Sequence, residues 1–277
     1  MIKIITDESA TMPKNKEVGI VNLKIIWDEE KLDRDLIKIM RETKTETSPK
    51  TSQPSVGDFK KAYVEAFKTH NEIICITLSS NLSGTYNSAM QAVKFLEKEK
   101  QDKVRVIDSF TVDAGHGLLV MKAFELVSKG LELEEVVLRL EEFKKNMKVF
   151  GFAGDPKWLE RSGRLSKTGA SLLRRVEKIG IRPLLTIKDG KVAVTSIKLK
   201  AKDKIEALIR ELKGKEAFVV ITHGDALKTA LEFEERLKKE CPKTEVLFID
   251  SITPVISCHL GPDGIVCAYF LKENDIS

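Results

Sequence analysis

Residues 73–89 read IICITLSSNLSGTYNSA, and this stretch decides the fold. The apolar run at 73–78 is typical of a buried strand, and the polar loop after it leads directly into a segment with helical spacing. A buried strand, a polar loop and a covering helix form the unit from which parallel α/β sheets are built. The stretch therefore predicts an α/β protein.

Two further apolar runs, at 2–6 and 104–107, have similar length and surroundings. The N-terminal half is therefore predicted to hold a parallel sheet covered by helices. Helical spacing of apolar residues predicts the two faces that cover it. One face comprises Phe59, Tyr63, Ala66 and Phe67, and the other comprises Tyr86, Met90, Val93 and Phe95.

The C-terminal half has a different pattern of apolar runs and turn residues. Residues 181–187 and 192–197 flank a Lys-Asp-Gly turn, and Asp-Gly is a dipeptide that tight antiparallel hairpins favour. Further strand-like runs alternate with helical segments, so we expect a mixed sheet with helices. The predicted strands lie at 149–153, 218–222, 246–249 and 265–271, and the predicted helices at 204–212 and 227–237.

The length of 277 residues suits two domains of ordinary size. A long helical stretch at about 133–145 ends the first half, so we predict an N-terminal domain at 1–148 and a C-terminal domain at 149–277. No linker-like segment separates them, which indicates close packing. A cleft between two such domains is the expected place for a ligand.

Composition excludes several classes of function. The net charge of +5 comes from 47 basic and 42 acidic residues spread along the chain, and the basic run at 198–204 has no interleaved aromatic residues, so no nucleic-acid partner is expected. No apolar run approaches the ~18 residues of a membrane span, and the opening MIKIITDESATMP lacks a signal-peptide core. We expect a soluble cytoplasmic protein without an integral membrane segment.

The sequence offers no metal or cofactor motif. Four widely spaced cysteines, without a CxxC pair, are expected to be reduced thiols, mostly buried. The four histidines show no HExxH spacing, so no metal is predicted. The motifs GxGxxG, GxxxxGK[ST] and GxSxG are absent, which removes support for dinucleotide binding, P-loop hydrolysis and α/β-hydrolase chemistry.

Polar loops follow the predicted strands of the first half, where open α/β sheets bind ligands. In the loop TDESATMP, Asp7 and Ser9 could bind a ligand or form a local turn, and both interpretations stay open. The loop IDSFTVDAGHG contains Asp113, which could cap the next helix. His116 lies in that helix's first turn and is expected to be structural rather than a ligand-binding residue.

Two loops supply hydroxyl groups that suit an anion. In TSQPS, Ser55 is expected to cap a helix together with Asp58, which leaves Thr51 and Ser52 without a helical role. In SSNLSGTYNS, Ser83 and Gly84 fall at a helix start, where free N–H groups and the helix dipole favour a carboxylate or phosphate. An ordinary helix cap explains the same residues.

Two residues of the second half could complete such a site. Arg164 follows a short helical piece in RSGRLSKTG, and a guanidinium matches the geometry of a carboxylate or phosphate. His259 follows the strand-like run at 255–257 in HLGPDG and could donate a hydrogen bond. Taken alone, either could be an ordinary surface residue.

In order along the chain, TDESATMP, TSQPS, SSNLSGTYNSA, VIDSFTVDAGHG, SGRLS, IRPLLTIKDGKV and HLGPDG resemble the DegV family of fatty-acid-binding proteins. The resemblance spans essentially the whole chain. It implies a two-domain α/β protein that binds one long-chain fatty acid and presents its carboxyl group to a separate ATP-dependent fatty acid kinase. Such a protein needs no cofactor and is not itself a catalyst.

The resemblance also assigns residues. It implies that Thr51 and Ser83 hold the fatty acid's carboxylate, with Ser52 and Gly84 adjacent, and that Arg164 and His259 match the arginine of GGR and the histidine of HTGPG. The sequence departs from the family pattern at several positions. GGR reads Ser162-Gly163-Arg164, the early DSS reads Asp7-Glu8-Ser9, and HTGPG has Leu260 and Asp263 in place of a hydroxyl residue and a glycine.

Two other functions compete with fatty acid binding. One is a serine acyl hydrolase in which Ser83 is the nucleophile and His259 its base, although no third group can be named that would orient the histidine. The other is a module that binds a small phosphorylated or anionic metabolite at the Ser83 loop. A phosphate ligand would need more cationic groups and little apolar cavity.

Overall fold

The computed structural model describes residues 1–13, 17–27, 36–42, 48–178, 184–195 and 203–272. Its strands are β1 (Ile2–Asp7), β2 (Gly19–Val21), β3 (Lys24–Ile26), β4 (Lys50–Ser52), β5 (Glu72–Thr77), β6 (Val104–Asp108), β7 (Lys148–Phe152), β8 (Leu185–Lys188), β9 (Lys191–Val194), β10 (Ala217–His223), β11 (Thr244–Ser251) and β12 (Ile265–Leu271).

Helices alternate with these strands. The described helices are α1 (Leu36–Glu42), α2 (Val56–Ala66), α3 (Thr85–Val93), α4 (Lys98–Gln101), α5 (Asp113–Ser128), α6 (Leu133–Asn146), α7 (Lys157–Arg161), α8 (Lys167–Lys178), α9 (Lys204–Leu212), α10 (Leu227–Glu240) and α11 (Pro254–Leu260).

Two sheets carry the fold, as the sequence predicts. The N-terminal sheet has the order β2-β1-β5-β6, and its pairings are parallel. The C-terminal sheet has the order β11-β10-β12-β7-β8-β9; β10 and β11 are parallel and the other pairings antiparallel. The α/β class, with a parallel sheet followed by a mixed one, is therefore confirmed. Strands β3 and β4 form a separate antiparallel pair.

One apolar core joins the two sheets. It contains Ile74 and Ile76 of β5, residues of α5 and α6, and Val220 and Ala268 of the C-terminal sheet. The predicted domain division between residues 148 and 149 falls at the start of β7, the first strand of the second sheet in the chain. That division stays a prediction, because the core is continuous across it.

Local signals explain several elements. Ser55 caps α2 in a reciprocal capping box, in which the Asp58 N–H donates to Ser55 Oγ at 3.2 Å and the Ser55 N–H donates to Asp58 Oδ2 at 2.8 Å. In the β8–β9 hairpin, Asp189 and Gly190 have φ of 49° and 72°, the left-handed conformations that a tight two-residue turn requires. Both predictions are confirmed.

Three predictions on local structure are wrong. The run at 255–257 is not a strand but part of α11, which Pro254 begins with a preset helical φ. Asp113 is the first residue of α5 and makes no side-chain cap. Met90 of α3 and Phe95 just after this helix are 40% and 62% exposed, because the smaller Ala89 and Ala92 face the sheet instead.

Parts of three predicted segments lie outside the described residues. These are the start of the run at 181–187, the end of the run at 192–197, and most of the basic run at 198–204.

Candidate ligand-binding site

A cavity of about 870 Å³, its open mouth included, lies between the two sheets. The loops after β1 and β5 form one side, and the C-terminal sheet forms much of the rest. Strands β7, β8 and β9 contribute the apolar side chains Val149, Phe150, Phe152, Leu185, Ile187 and Val192.

Four of the six residues predicted from the sequence line this cavity: Thr51, Ser83, Arg164 and His259. We call these four residues the polar end. They come from both halves of the chain. Ser52 and Gly84 adjoin Thr51 and Ser83 but are not among the residues that line the cavity, and the binding roles of all six stay a prediction.

Thr51 and His259 are in direct contact. His259 lies in α11, and its Nε2 is 2.9 Å from Thr51 Oγ1. The other ring nitrogen, Nδ1, is buried and has no hydrogen-bond partner among the described residues. Burial, and secondarily the nearby charge of Arg164, lower the pKa of His259 to about 4. The ring is therefore neutral at pH 7, and if Thr51 donates to Nε2, the buried Nδ1 carries an unused N–H.

Arg164 follows α7 and is half-buried at the cavity. Its guanidinium donates to the backbone carbonyl of Ser162, and within the described part of the chain no carboxylate lies within ion-pair distance of it. Burial lowers its pKa, yet an arginine stays charged at any physiological pH. The polar end thus carries one uncompensated positive charge, which favours an anionic group in the cavity.

Ser83 lies in the loop before α3 and is held by local hydrogen bonds. Its Oγ is 2.8 Å from Thr85 Oγ1 and accepts the Thr85 N–H at 3.3 Å. Gly84 is the N-cap of α3, and a side chain there would overlap the amide of Gln53. Gln53 in turn donates to Ser88 Oγ at 3.0 Å, which fastens the TSQPS loop to the SGT loop.

The first polar loop forms a separate, fully buried cluster, which we call the His116 cluster: Thr6, Asp7, Ser9 and His116. Ser9 donates from its N–H and its Oγ to Asp7 Oδ1, at 2.9 and 2.6 Å. His116 Nδ1 is 3.1 Å from Ser9 Oγ, and its Nε2 is 2.9 Å from Thr6 Oγ1. The structural interpretation of His116 is confirmed, and Asp7 and Ser9 form a local turn, although Ser9 also lines the cavity.

Asp113 was missed as a cavity residue. Its carboxylate accepts from Thr11 Oγ1 at 2.6 Å and from Thr222 Oγ1 on β10 at 2.5 Å, so it ties the first polar loop to the second sheet. Burial raises its pKa, which its two threonine partners oppose. Its φ of 55° is unusual for a non-glycine residue and marks the position as special. This angle is visible only in the folded structure, so it could not be used to predict the role of Asp113. The sequence signal, an acidic residue before a helix, is also that of a common cap.

The two departures in HLGPDG have different surroundings. Leu260 lines the cavity and is buried, so it contributes to the apolar wall beside His259. Asp263 points away to the surface, where Arg41 of α1 pairs with it at 2.6 Å and with Asp225 at 2.7 Å.

The described residues contain no group of three or more His, Cys, Asp or Glu side chains arranged to hold a metal ion. All four cysteines are free and buried, as predicted. None of the described helices is long and apolar enough to cross a bilayer.

A mostly apolar cavity with one cationic, hydroxyl-rich end has the chemistry that suits an amphiphile with an acidic head group. Residues 1–272 match the model of the DegV family of uncharacterised proteins. A DegV domain-containing protein of Staphylococcus aureus strain COL is 35% identical over 223 residues, which cover 78% of this chain and 76% of that protein. The chain therefore belongs to the DegV family.

Relatives of this chain bind fatty acids. A fatty acid-binding protein of Thermotoga maritima is 30% identical over 95% of this chain and 96% of its own length. A solved Thermotoga maritima structure described as revealing fatty acid binding function matches with a TM-score of 0.79 at 27% identity, covering 98% of this chain and 99% of that one. The Streptococcus pneumoniae fatty acid kinase B3 protein, solved with linoleic acid, shares the fold at 24% identity and a TM-score of 0.81, over 98% and 99% of the two chains.

Proposed function

We propose that this protein binds one long-chain fatty acid in the cavity, with the carboxylate at the polar end, and presents that carboxylate to a separate ATP-dependent kinase in the cytoplasm. The observation that carries the proposal is the pairing of an apolar cavity with Arg164, a half-buried cation that has no carboxylate partner among the described residues. A fatty acid supplies both the missing negative charge and the apolar surface.

The tail accounts for most of the affinity. Burial of ~14 methylenes at about 0.8 kcal/mol each gives roughly 11 kcal/mol of gross stabilisation before the ordering costs of binding. The head group then fixes the orientation, because a buried carboxylate without partners would cost several kcal/mol. Arg164, Ser83 and the Thr51–His259 pair supply the donors available on this cavity. The pair offers one proton to a ligand, from His259 Nδ1 if Thr51 donates to Nε2, and from the Thr51 hydroxyl if Nε2 donates to Thr51.

The small-anion alternative is less well supported. A phosphate group at this site would meet one arginine, whereas most of the cavity is lined by apolar side chains that a small metabolite would leave in contact with water. The serine hydrolase alternative lacks the contact between nucleophile and base that it requires. Ser83 Oγ bonds to Thr85 and His259 Nε2 bonds to Thr51, and no hydrogen bond joins Ser83 to His259 in the described structure.

Native mass spectrometry of the purified protein, followed by solvent extraction, tests the proposal directly. We expect a stoichiometric C14 to C18 fatty acid, or uptake of one equivalent by the empty protein. A protein that contains none and takes up none would contradict the assignment and favour the small-anion function.

The kinase step needs its own test. With a competent fatty acid kinase and ATP, the loaded protein is expected to yield acyl-phosphate, and His259→Ala is expected to impair this step. Full phosphoryl transfer with that variant would exclude His259 from the presenting site.

A further inference from the structure

The tip of the β8–β9 hairpin is bound by the loop that carries Ser83. Ser79 Oγ donates to the backbone oxygen of Gly190 at 2.7 Å, and Asn81 Nδ2 donates to the backbone oxygen of Asp189 at 2.9 Å. These bonds join residues 111 and 108 positions apart, one in each half of the chain. The hairpin tip and the Ser83 loop are thus fastened directly to each other, and each belongs to an element that supplies side chains to the cavity wall.

The fit at the tip depends on glycine. Gly190 has a φ of +72°, and a Cβ atom there would overlap Ser79 Oγ and approach a ring carbon of Phe110 to 3.1 Å. A side chain at position 190 would therefore push the hairpin away from Ser79. The close approach of the two backbones is a built feature of this contact.

The hairpin has few other attachments to its sheet. Among the described residues, strand β8 pairs with β7 at two positions, Phe150 with Thr186 and Gly151 with Leu185, and Thr186 Oγ1 also donates to the backbone oxygen of Val149 at 2.7 Å. Strand β9 is the edge strand and also contacts α8. Elements with few backbone pairings open at lower free energy than the centre of a sheet. Yet the hairpin supplies Leu185, Ile187 and Val192 to the cavity wall.

Ser79 also organises the head-group loop. Its backbone oxygen accepts the N–H groups of Leu82 at 3.0 Å and Ser83 at 3.2 Å, and its Oγ accepts the Asn81 N–H at 3.2 Å. Ser79, which positions Ser83, therefore also binds the hairpin that forms part of the cavity wall.

We propose that Ser79 and Asn81 are positioning residues that clasp the hairpin shut, and that the hairpin is the movable wall through which the acyl chain enters and leaves. This inference rests on the proposed function. If the acyl chain passes between the hairpin and the Ser83 loop, opening of the clasp is a step that uptake and release share.

Stopped-flow fluorescence with cis-parinaric acid, a fluorescent C18 fatty acid, tests the clasp. Gly190→Ala and Asn81→Ala are expected to raise the association and dissociation rate constants together, each by about fivefold or more, with Kd changed about twofold or less. Dissociation is measured by displacement with excess oleate. A merely structural role would lower the melting temperature without accelerating both directions equally.

Two matched controls separate the clasp from general strain. Gly214→Ala has a similar φ of +81° with nothing within 4 Å of the added Cβ, and Asn87→Ala removes an exposed asparagine from α3. Both should leave the rates at the wild-type values. Unchanged rates in Gly190→Ala, or an increase in dissociation alone, would overturn the proposal.

Amide hydrogen exchange of the empty protein keeps this test independent of ligand binding. Gly190→Ala should speed exchange at residues 184–195, relative to Gly214→Ala, without affecting β5. Equal exchange in the two variants would show that Ser79 and Asn81 do not hold the hairpin. If the wild-type protein took up no parinaric acid, the proposed function would be contradicted, and this comparison would still decide whether the clasp exists.

Discussion

The His116 cluster and the polar end both place a buried histidine among hydroxyl groups beside one cavity, but they differ in how fully their polar atoms are paired. Both ring nitrogens of His116 have partners, and Asp7 offsets part of the pKa lowering that burial causes. At the polar end, His259 Nδ1 has no partner in the described structure, and Arg164 lowers the pKa of the ring further. Burial of a histidine therefore does not by itself mark a ligand site.

The difference has a thermodynamic meaning. A satisfied buried network stabilises the fold, whereas unpaired donors and an uncompensated charge destabilise the empty protein until a ligand pairs with them. The His116 cluster should thus control stability and the polar end should control affinity.

The largest expected effect is on affinity, in Arg164→Met. The variant removes the cation at the polar end, and leaving a carboxylate buried without it should cost about 3–5 kcal/mol, or more than about 100-fold in the Kd for oleate measured by calorimetry. The empty protein should be no less stable than wild type, because a desolvated charge has been removed.

Arg161→Met is the control, since it removes the same charge from an exposed neighbour. An equal loss of affinity in both variants would show that overall charge, and not the polar end, attracts the ligand.

The next effect is on stability, in His116→Ala. The variant opens a cavity in a fully buried site and leaves Ser9 Oγ and Thr6 Oγ1 without the ring, so urea denaturation should show a loss of about 3 kcal/mol. His259→Ala in the empty protein should cost about 1 kcal/mol, because it breaks one neutral hydrogen bond. Equal costs for the two variants would remove the distinction between the clusters.

A pH titration sharpens the comparison through His259. Its pKa of about 4 in the folded protein lies below the ordinary 6.5, so the unfolded chain binds the additional proton first. Stability should therefore fall as pH decreases from 6.5 to 4 and the contribution should level off below, by up to about 3 kcal/mol in total.

His259→Gln should lose this part of the pH dependence when the free energy of unfolding is measured at each pH. The difference between variant and wild type isolates His259 from His116 and His223, whose pKa values burial also lowers. A variant with the wild-type slope would show that His259 does not titrate in this way.

The sequence predicts these elements unevenly, for physical reasons. The strand at β5, the Ser55 capping box and the Asp189-Gly190 turn depend on neighbours within a few residues, so local patterns determine them. The helix α11 was missed because a short apolar run fits a strand or a buried helix equally well. The buried side of α3 was missed because small alanines, not the larger Met90 and Phe95, fit close to the sheet.

The candidate site shows the same limit. Strand ends gather polar loops at one edge of a sheet, so the general place of Ser83 after β5 follows from the pattern. Thr51 does not follow from it, because Thr51 lies within β4 of the separate β3–β4 pair rather than in a loop. The contact between Thr51 and His259 joins residues 208 positions apart, and no local signal encodes it. Asp113 likewise depends on Thr222 of the other sheet.

The smallest expected effects come from a matched pair of threonines, one at each histidine. Thr51→Val removes the hydroxyl bonded to His259 Nε2, and Thr6→Val removes the one bonded to His116 Nε2. Each change keeps the side-chain shape and costs about 1 kcal/mol, roughly fivefold in an equilibrium constant. Thr51→Val should weaken oleate binding and also lower the unfolding midpoint about as much as His259→Ala does, whereas Thr6→Val should lower the midpoint and leave Kd unchanged. The reverse pattern would exchange the roles of the two clusters, because the same lost hydrogen bond can appear in affinity only where the ligand is part of the network.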